Sequence, residues 1–166
     1  MDNAVHFTAT ANSIAFVQRA VPAGTAAVTC RVRPETDQGA TWGPGLALVW
    51  PDGRGLRVNL RAGGQFGVYG YQHEILGGVR FPGETYLLAI ELDAQRIRLQ
   101  ASLDGHVWQV LADVPRSAFP GPPSLLRLGK MGVGRHDTDF HIPGPLGNCA
   151  ISDLQVFAVP RGDAAP

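Results

Sequence analysis

"TYLLAIELDAQRIRLQASLDGHVWQVL", residues Thr85 to Leu111, alternates apolar and polar side chains through three short runs. A period of two marks a half-buried strand, and the Asp, Gly and Gln at the breaks supply turns. Because each strand must present its apolar set to the same side as its neighbour, the register can be read off. A two-residue turn at Ala94-Gln95 sets Leu92 against Ile97 and Ile90 against Leu99. On the other face Glu91 then lies opposite Arg98, a cross-strand charge pair. Asp104-Gly105 reads as a second two-residue turn, since both types tolerate positive φ. It predicts Trp108 opposite Ala101 and Val110 opposite Leu99.

The same period recurs at "SIAFVQRAV" (13–21), "TAAVTCRVR" (25–33), "LALVW" (46–50), "GLRVNLRA" (55–62), "QFGVYGYQ" (65–72), "SLLRLGK" (124–130) and "CAISDLQVFAV" (149–159). Windows of helical length are interrupted by Pro or Gly. Many short strands divided by turn residues predict an all-β fold, an antiparallel β-sandwich. One domain over residues 1–160 is expected, with a frayed tail at 161–166 that contains Arg161-Gly162-Asp163, read as chance. Its core is expected from Leu46, Leu48, Leu56, Val58, Leu60, Leu88, Ile90, Leu99 and Trp108. For the hairpin at 55–72, a three-residue Gly63-Gly64-Gln65 loop sets Leu60 against Val68 and keeps apolar positions together. Arg57, Asn59, Arg61, Tyr69 and Tyr71 then crowd the opposite face, and His73 continues it.

Fourteen basic and fourteen acidic residues leave no net charge, which removes the electrostatic footprint of a nucleic-acid or anionic-membrane partner. No apolar run approaches the length of a membrane span. "MDNAVHFTAT" lacks a basic region followed by an apolar core, so no signal peptide is expected. The protein is then cytoplasmic, or extracellular if it is an excised module. Cys30 alternates in phase with Val28 and Val32 and reads as a small buried residue; it is either a free thiol or bridged to Cys149.

With these residues in view, the Thr85–Leu111 meander, its Ser102-x-Asp104-Gly105-x-x-Trp108 hairpin and the closing "GPLGNCAISDLQVF" resemble the concanavalin A-like lectin/glucanase superfamily, including its laminin-G-like modules. The resemblance covers roughly residues 45–157. It implies a jelly roll of two curved antiparallel sheets, often with a sugar-binding face and sometimes a rim calcium site. Jelly-roll β-glucanases carry a Glu-x-Asp-x-Glu strand. Glu91-Leu92-Asp93-Ala94-Gln95 stops one acid short of that pattern, at Gln95. A retaining glycosidase needs two carboxylates about 5–5.5 Å apart, and Asp93 falls at a turn with Arg98 beside Glu91. The stretch reads as a charged hairpin.

The better ligand candidate is the face of Arg57, Asn59, Arg61, Tyr69, Tyr71 and His73. Flat sugar C–H faces stack on aromatic rings, while planar amide and guanidinium groups meet hydroxyls. A plain solvated sheet face is the alternative. Arg57 and Arg61 point faintly to an acidic sugar. Trp42, in "TWGPG", is either a stacking platform or a loop plug. In "GRHDTDFHIPG", Asp137, Asp139 and His141 share one side if the chain is extended. Their oxygen-rich set suits Ca2+, against the alternative of a solvated loop, and zinc through His136 and His141 lacks a third ligand. "GKMGVG" does not have phosphate-loop spacing, and no nucleophile elbow occurs. The leading expectation is a non-catalytic, lectin-like carbohydrate-binding module. A structural or protein-interaction domain is the alternative, and a glycoside hydrolase the third reading.

Overall fold

The computed structural model describes residues 3–7, 15–37, 43–61, 65–70, 75–80, 84–131 and 147–158; for residue 61 and residues 75–80 it describes the backbone alone. Its strands are β1 (Val5–Phe7), β2 (Ala15–Ala20), β3 (Thr25–Arg33), β4 (Gly45–Val49), β5 (Gly55–Arg61), β6 (Gln65–Tyr69), β7 (Ile75–Arg80), β8 (Tyr86–Leu92), β9 (Arg96–Ser102), β10 (Gln109–Pro115), β11 (Leu125–Lys130) and β12 (Cys149–Ala158). They form two six-stranded antiparallel sheets, ordered β1-β12-β3-β8-β9-β10 and β2-β11-β4-β5-β6-β7. This is the antiparallel sandwich that the alternation predicts.

The core forms where the apolar sets of both sheets meet. Val28, Cys30 and Val32 on β3, Leu88 and Ile90 on β8, and Ile97 and Leu99 on β9 face Leu46 and Leu48, Leu56 and Val58, and Phe66 and Val68 of the other sheet, all buried. Phe66 and Tyr86 meet edge to face, ring centroids 5.4 Å apart, an arrangement that suits the ring quadrupoles. At one end Trp50 packs on Phe119, and its indole N–H donates to Gly121 O at 3.0 Å.

At the other end an ion pair replaces the apolar plug. The inward set of β11 runs Leu126, Leu128, Lys130, and the Lys130 ammonium lies 2.5 Å from Asp37 Oδ2, both side chains almost wholly buried. Lys130 also donates to Gly147 O. A Cβ on Gly147 would overlap Thr36 O and Asp37 N, so the close approach that shields the pair requires glycine there.

The β8–β9 register is as read: Leu92 pairs with Ile97, Ile90 with Leu99 and Glu91 with Arg98. Two others differ. In β5–β6, Leu60 faces Phe66 and Val58 faces Val68, two residues from the expected register. The faces survive the correction because a shift of two preserves alternation. In β9–β10, Gln109 pairs with Ala101 and Val110 with Gln100, with a bulge before Ala112 pairs Leu99. Val110 is therefore exposed, Trp108 is half-buried instead of core, and Ala112 and Val114 fill the inward positions.

The cause lies in the Ser102–Trp108 loop, which is longer than a two-residue turn. Ser102 Oγ accepts from the Gly105 N–H at 2.9 Å, and Asp104 Oδ1 accepts from the His106 and Val107 N–H groups at 2.8 and 3.0 Å. Gly105 takes a φ of +79°, and the Trp108 indole N–H donates to its carbonyl at 3.0 Å. Side chains thus satisfy backbone groups that a tight hairpin would have paired across the strands.

Cys30 and Cys149 are free and buried. Ala150 pairs with Arg33, which sets Cys149 about four strand positions, ~13 Å, from Cys30 and beyond disulfide reach. Burial pushes both thiols up to about 12, so neither supplies thiolate near neutral pH. The native protein should leave both unmodified by an aromatic disulfide reagent at mildly alkaline pH. Both should titrate in denaturant without reductant, and a smaller count would reveal a bridge.

Candidate functional site

Two polar surfaces compete, one on the outer face of each sheet. On β4–β6 the expected cluster assembles in part. Arg57 and Tyr69 are cross-strand partners, and the guanidinium carbon lies 5.2 Å from the Tyr69 ring centroid. Arg57 Nε donates to Asn59 Oδ1 at 3.2 Å, Arg57 Nη1 donates to Met131 O, and Asn59 Nδ2 donates to Leu60 O at 2.7 Å. Gly45 pairs with Asn59, and a Cβ there would come 2.6 Å from Asn59 Cβ; glycine makes room for the amide.

Arg57 and Asn59 have no exposed surface, and Ala47 and Met131 beside them are equally buried. That corrects the picture of a solvent-facing polar sheet at these two positions. Here the planar groups hydrogen-bond one another and the backbone, and the guanidinium lies against the Tyr69 ring. Tyr69 is partly exposed. The Arg61 side chain, Tyr71, His73 and Trp42, like the calcium candidates Asp137, Asp139 and His141, lie outside what is described. Among the described residues no group of three potential metal ligands occurs.

The other sheet carries an open groove of ≈ 610 Å³. Its floor is made by outward positions of the two central strands: Ala27 and Thr29 on β3, Leu87 and Ala89 on β8. These are mostly short side chains, so the strands with longer ones stand above them as walls. One wall is β12, with Asp153, Gln155 and Phe157; the other is Gln100 with the Trp108 loop. Phe157 is 47% exposed, enough open aromatic surface to serve as a platform. Asp153, at φ +51° in the β12 bulge, reaches Arg31 Nε at 2.6 Å. Glu91 Oε2 accepts from Gln100 Nε2 at 3.0 Å and from Arg98 at 3.3 Å.

The stretch from Glu91 to Gln95 lies beside this groove. Arg98 reaches Glu91 at 3.3 Å and Asp93 at 3.5 Å, so one guanidinium occupies the space between the two acids. Asp93 Oδ1 accepts from the Gln95 and Arg96 N–H groups, which hold its carboxyl below the ordinary 3.8. A glycosidase acid needs its pKa raised; Asp93 is shifted the other way. Sequence reasoning placed Glu91 and Arg98 correctly but did not find the groove. The alternation puts Trp108 in the core, and small outward residues on adjacent strands carry no motif. The signal available was the short side chains at outward positions, Ala27 and Thr29 in one run and Ala89 in another.

No family model matches the sequence, and no curated protein matches it. Among solved structures the chain is similar to an uncharacterized protein of Mycobacterium paratuberculosis, with TM-score 0.58, 18% identity, and 94% and 82% of the two chains covered. It is similar to a Crh5 transglycosylase at 0.60 and 11%, covering 92% and 71%, and to a Bacillus licheniformis β-glucanase at 0.53 and 14%, covering 83% and 67%. The likeness is one of fold. It bears on the sandwich architecture alone and carries no residue roles across.

Two outcomes are expected from these contacts. Arg57→Ala should lower stability in urea unfolding by at least about 1.5–3 kcal/mol, because it strips hydrogen bonds from buried partners. Backbone N–H donors to Asp104 hold its carboxyl below 3.8. A depressed folded-state pKa stabilises above the unfolded value and is lost as pH falls through the folded one. The melting temperature should therefore drop as pH falls below about 3.8, and Asp104→Asn should flatten that dependence.

Proposed function

We propose that the protein is a non-catalytic carbohydrate-binding module. The observation that carries this reading is the groove on the β12-β3-β8-β9 face. A narrow floor of small residues lies between aromatic side chains at opposite corners, with amide, hydroxyl and paired charged groups along it. Sugars offer flat C–H faces to rings and hydroxyls to planar donors and acceptors, and Thr29 and Gln155 have no side-chain partner among the described residues. Binding without hydrolysis is supported by the Arg98 clamp on Glu91 and Asp93. Carbohydrate-active proteins on similar folds make the substrate class natural by analogy alone.

A glycan array on the purified protein, run with and without calcium, tests the reading. A specific hit should weaken about five- to tenfold on Phe157→Ala and on Gln100→Ala, with no reducing sugar released from the bound glycan. A blank array overturns the proposal. It would favour an interaction domain, for which the separate aliphatic pocket of ≈ 270 Å³ among Val5, Val17, Leu126, Leu128, Ile151 and Leu154 is the supporting observation.

A further inference from the structure

We infer that the groove takes a neutral, extended oligosaccharide chain crossing β3 and β8 diagonally, and neither a single terminal sugar nor an acidic glycan. The inference rests on the carbohydrate-binding reading and follows from the groove's charges and the placing of its aromatic rings. Every charged side chain lining it is already engaged. Arg31 holds Asp153 at 2.6 Å, and Glu91 holds Arg98 and Gln100. The Asp104 carboxylate is turned onto the His106 and Val107 N–H groups. A uronate or sulfate would find a single cation, Arg31, already neutralised by Asp153, and would face Glu91, Asp104 and Asp153 as like charges. A neutral chain meets these groups as they stand, through the unused donors and acceptors of paired residues and through Thr29 and Gln155.

The rings decide length. Phe157 pairs with Ala27, which pairs with Glu91, so Phe157 stands at the Glu91 end on the β12 wall. Trp108 precedes Gln109, which pairs with Ala101 beside Leu87 and Leu88. A Cβ on the neighbouring Gly105 would lie 3.2 Å from Leu87 Cδ1. Trp108 therefore stands at the Leu87 end on the opposite wall. Four residues along a strand and three strand spacings across put the two rings on the order of 15–20 Å apart. A monosaccharide reaches one ring, and a chain of several units reaches both.

The test is calorimetric titration of the protein with linear neutral glucan, xylan and mannan oligosaccharides from disaccharide to hexasaccharide, and with oligogalacturonates of the same lengths. For at least one neutral series, affinity is expected to rise at least about tenfold with length and to hold in about 0.5 M salt, where exposed charges are screened. Phe157→Ala should flatten that rise and leave the melting temperature unchanged, because the side chain is largely exposed. Tighter binding of oligogalacturonate that collapses in salt overturns the neutral-ligand inference and leaves carbohydrate binding standing. Affinity independent of length overturns the extended-chain inference in the same way. Failure of every sugar to bind overturns both.

Discussion

The Asp93 carboxylate, folded back onto the Gln95 and Arg96 N–H groups, closes the turn that sets the β8–β9 register. Much of the sandwich depends on that register. A slip by one residue would turn the apolar set of one strand to solvent, either Leu88 and Ile90 or Ile97 and Leu99, and drive Glu91 or Arg98 into the core. Because β3 pairs with β8 in turn, the same choice decides which side chains β3 presents on each face. Core and groove are two sides of a single alternation.

The groove needs more than alternation. Its depth comes from short side chains at the outward positions of the two central strands, with larger ones on strands further out. Its second wall comes from a loop that abandons the tight-hairpin form. Ser102 and Asp104 draw the backbone into their own hydrogen bonds, which lengthens the connection and swings Trp108 away from the core. The β12 bulge acts on the opposite wall. Asp153 adopts a left-handed conformation, turns outward and anchors Arg31. Both walls are built where the regular ladder is interrupted, a common use of bulges and turn residues near functional surfaces.

The outer face of the other sheet shows why residue type alone is a poor guide to exposure. Arg57 and Asn59 occupy outward positions, and in a two-layer sandwich such positions normally meet water. Here the guanidinium lies against Tyr69 and hydrogen-bonds Asn59 and the Met131 carbonyl. Arg57, a ligand candidate by type and face, is buried and braces the sheet. Lys130 makes the same point from the inside: its position continues the apolar set of β11, and a lysine is tolerated there because Asp37 and the Gly147 carbonyl meet it.

By itself the sequence determined the fold class, the positions of the described strands other than β1 and β7, and, outside β10, the division of those strands into an inner and an outer face. These follow from a local period of two and need no knowledge of distant residues. It also determined the β8–β9 pairing, because a two-residue turn allows few registers. The Gln109–Ala101 register, which depends on how a longer loop spends its hydrogen bonds, and the Leu60–Phe66 register were decided only in three dimensions. So was the groove. Its floor joins β3 to β8 and its far wall comes from β12, segments up to about 130 positions apart in the chain, and no local pattern records which strands will be neighbours.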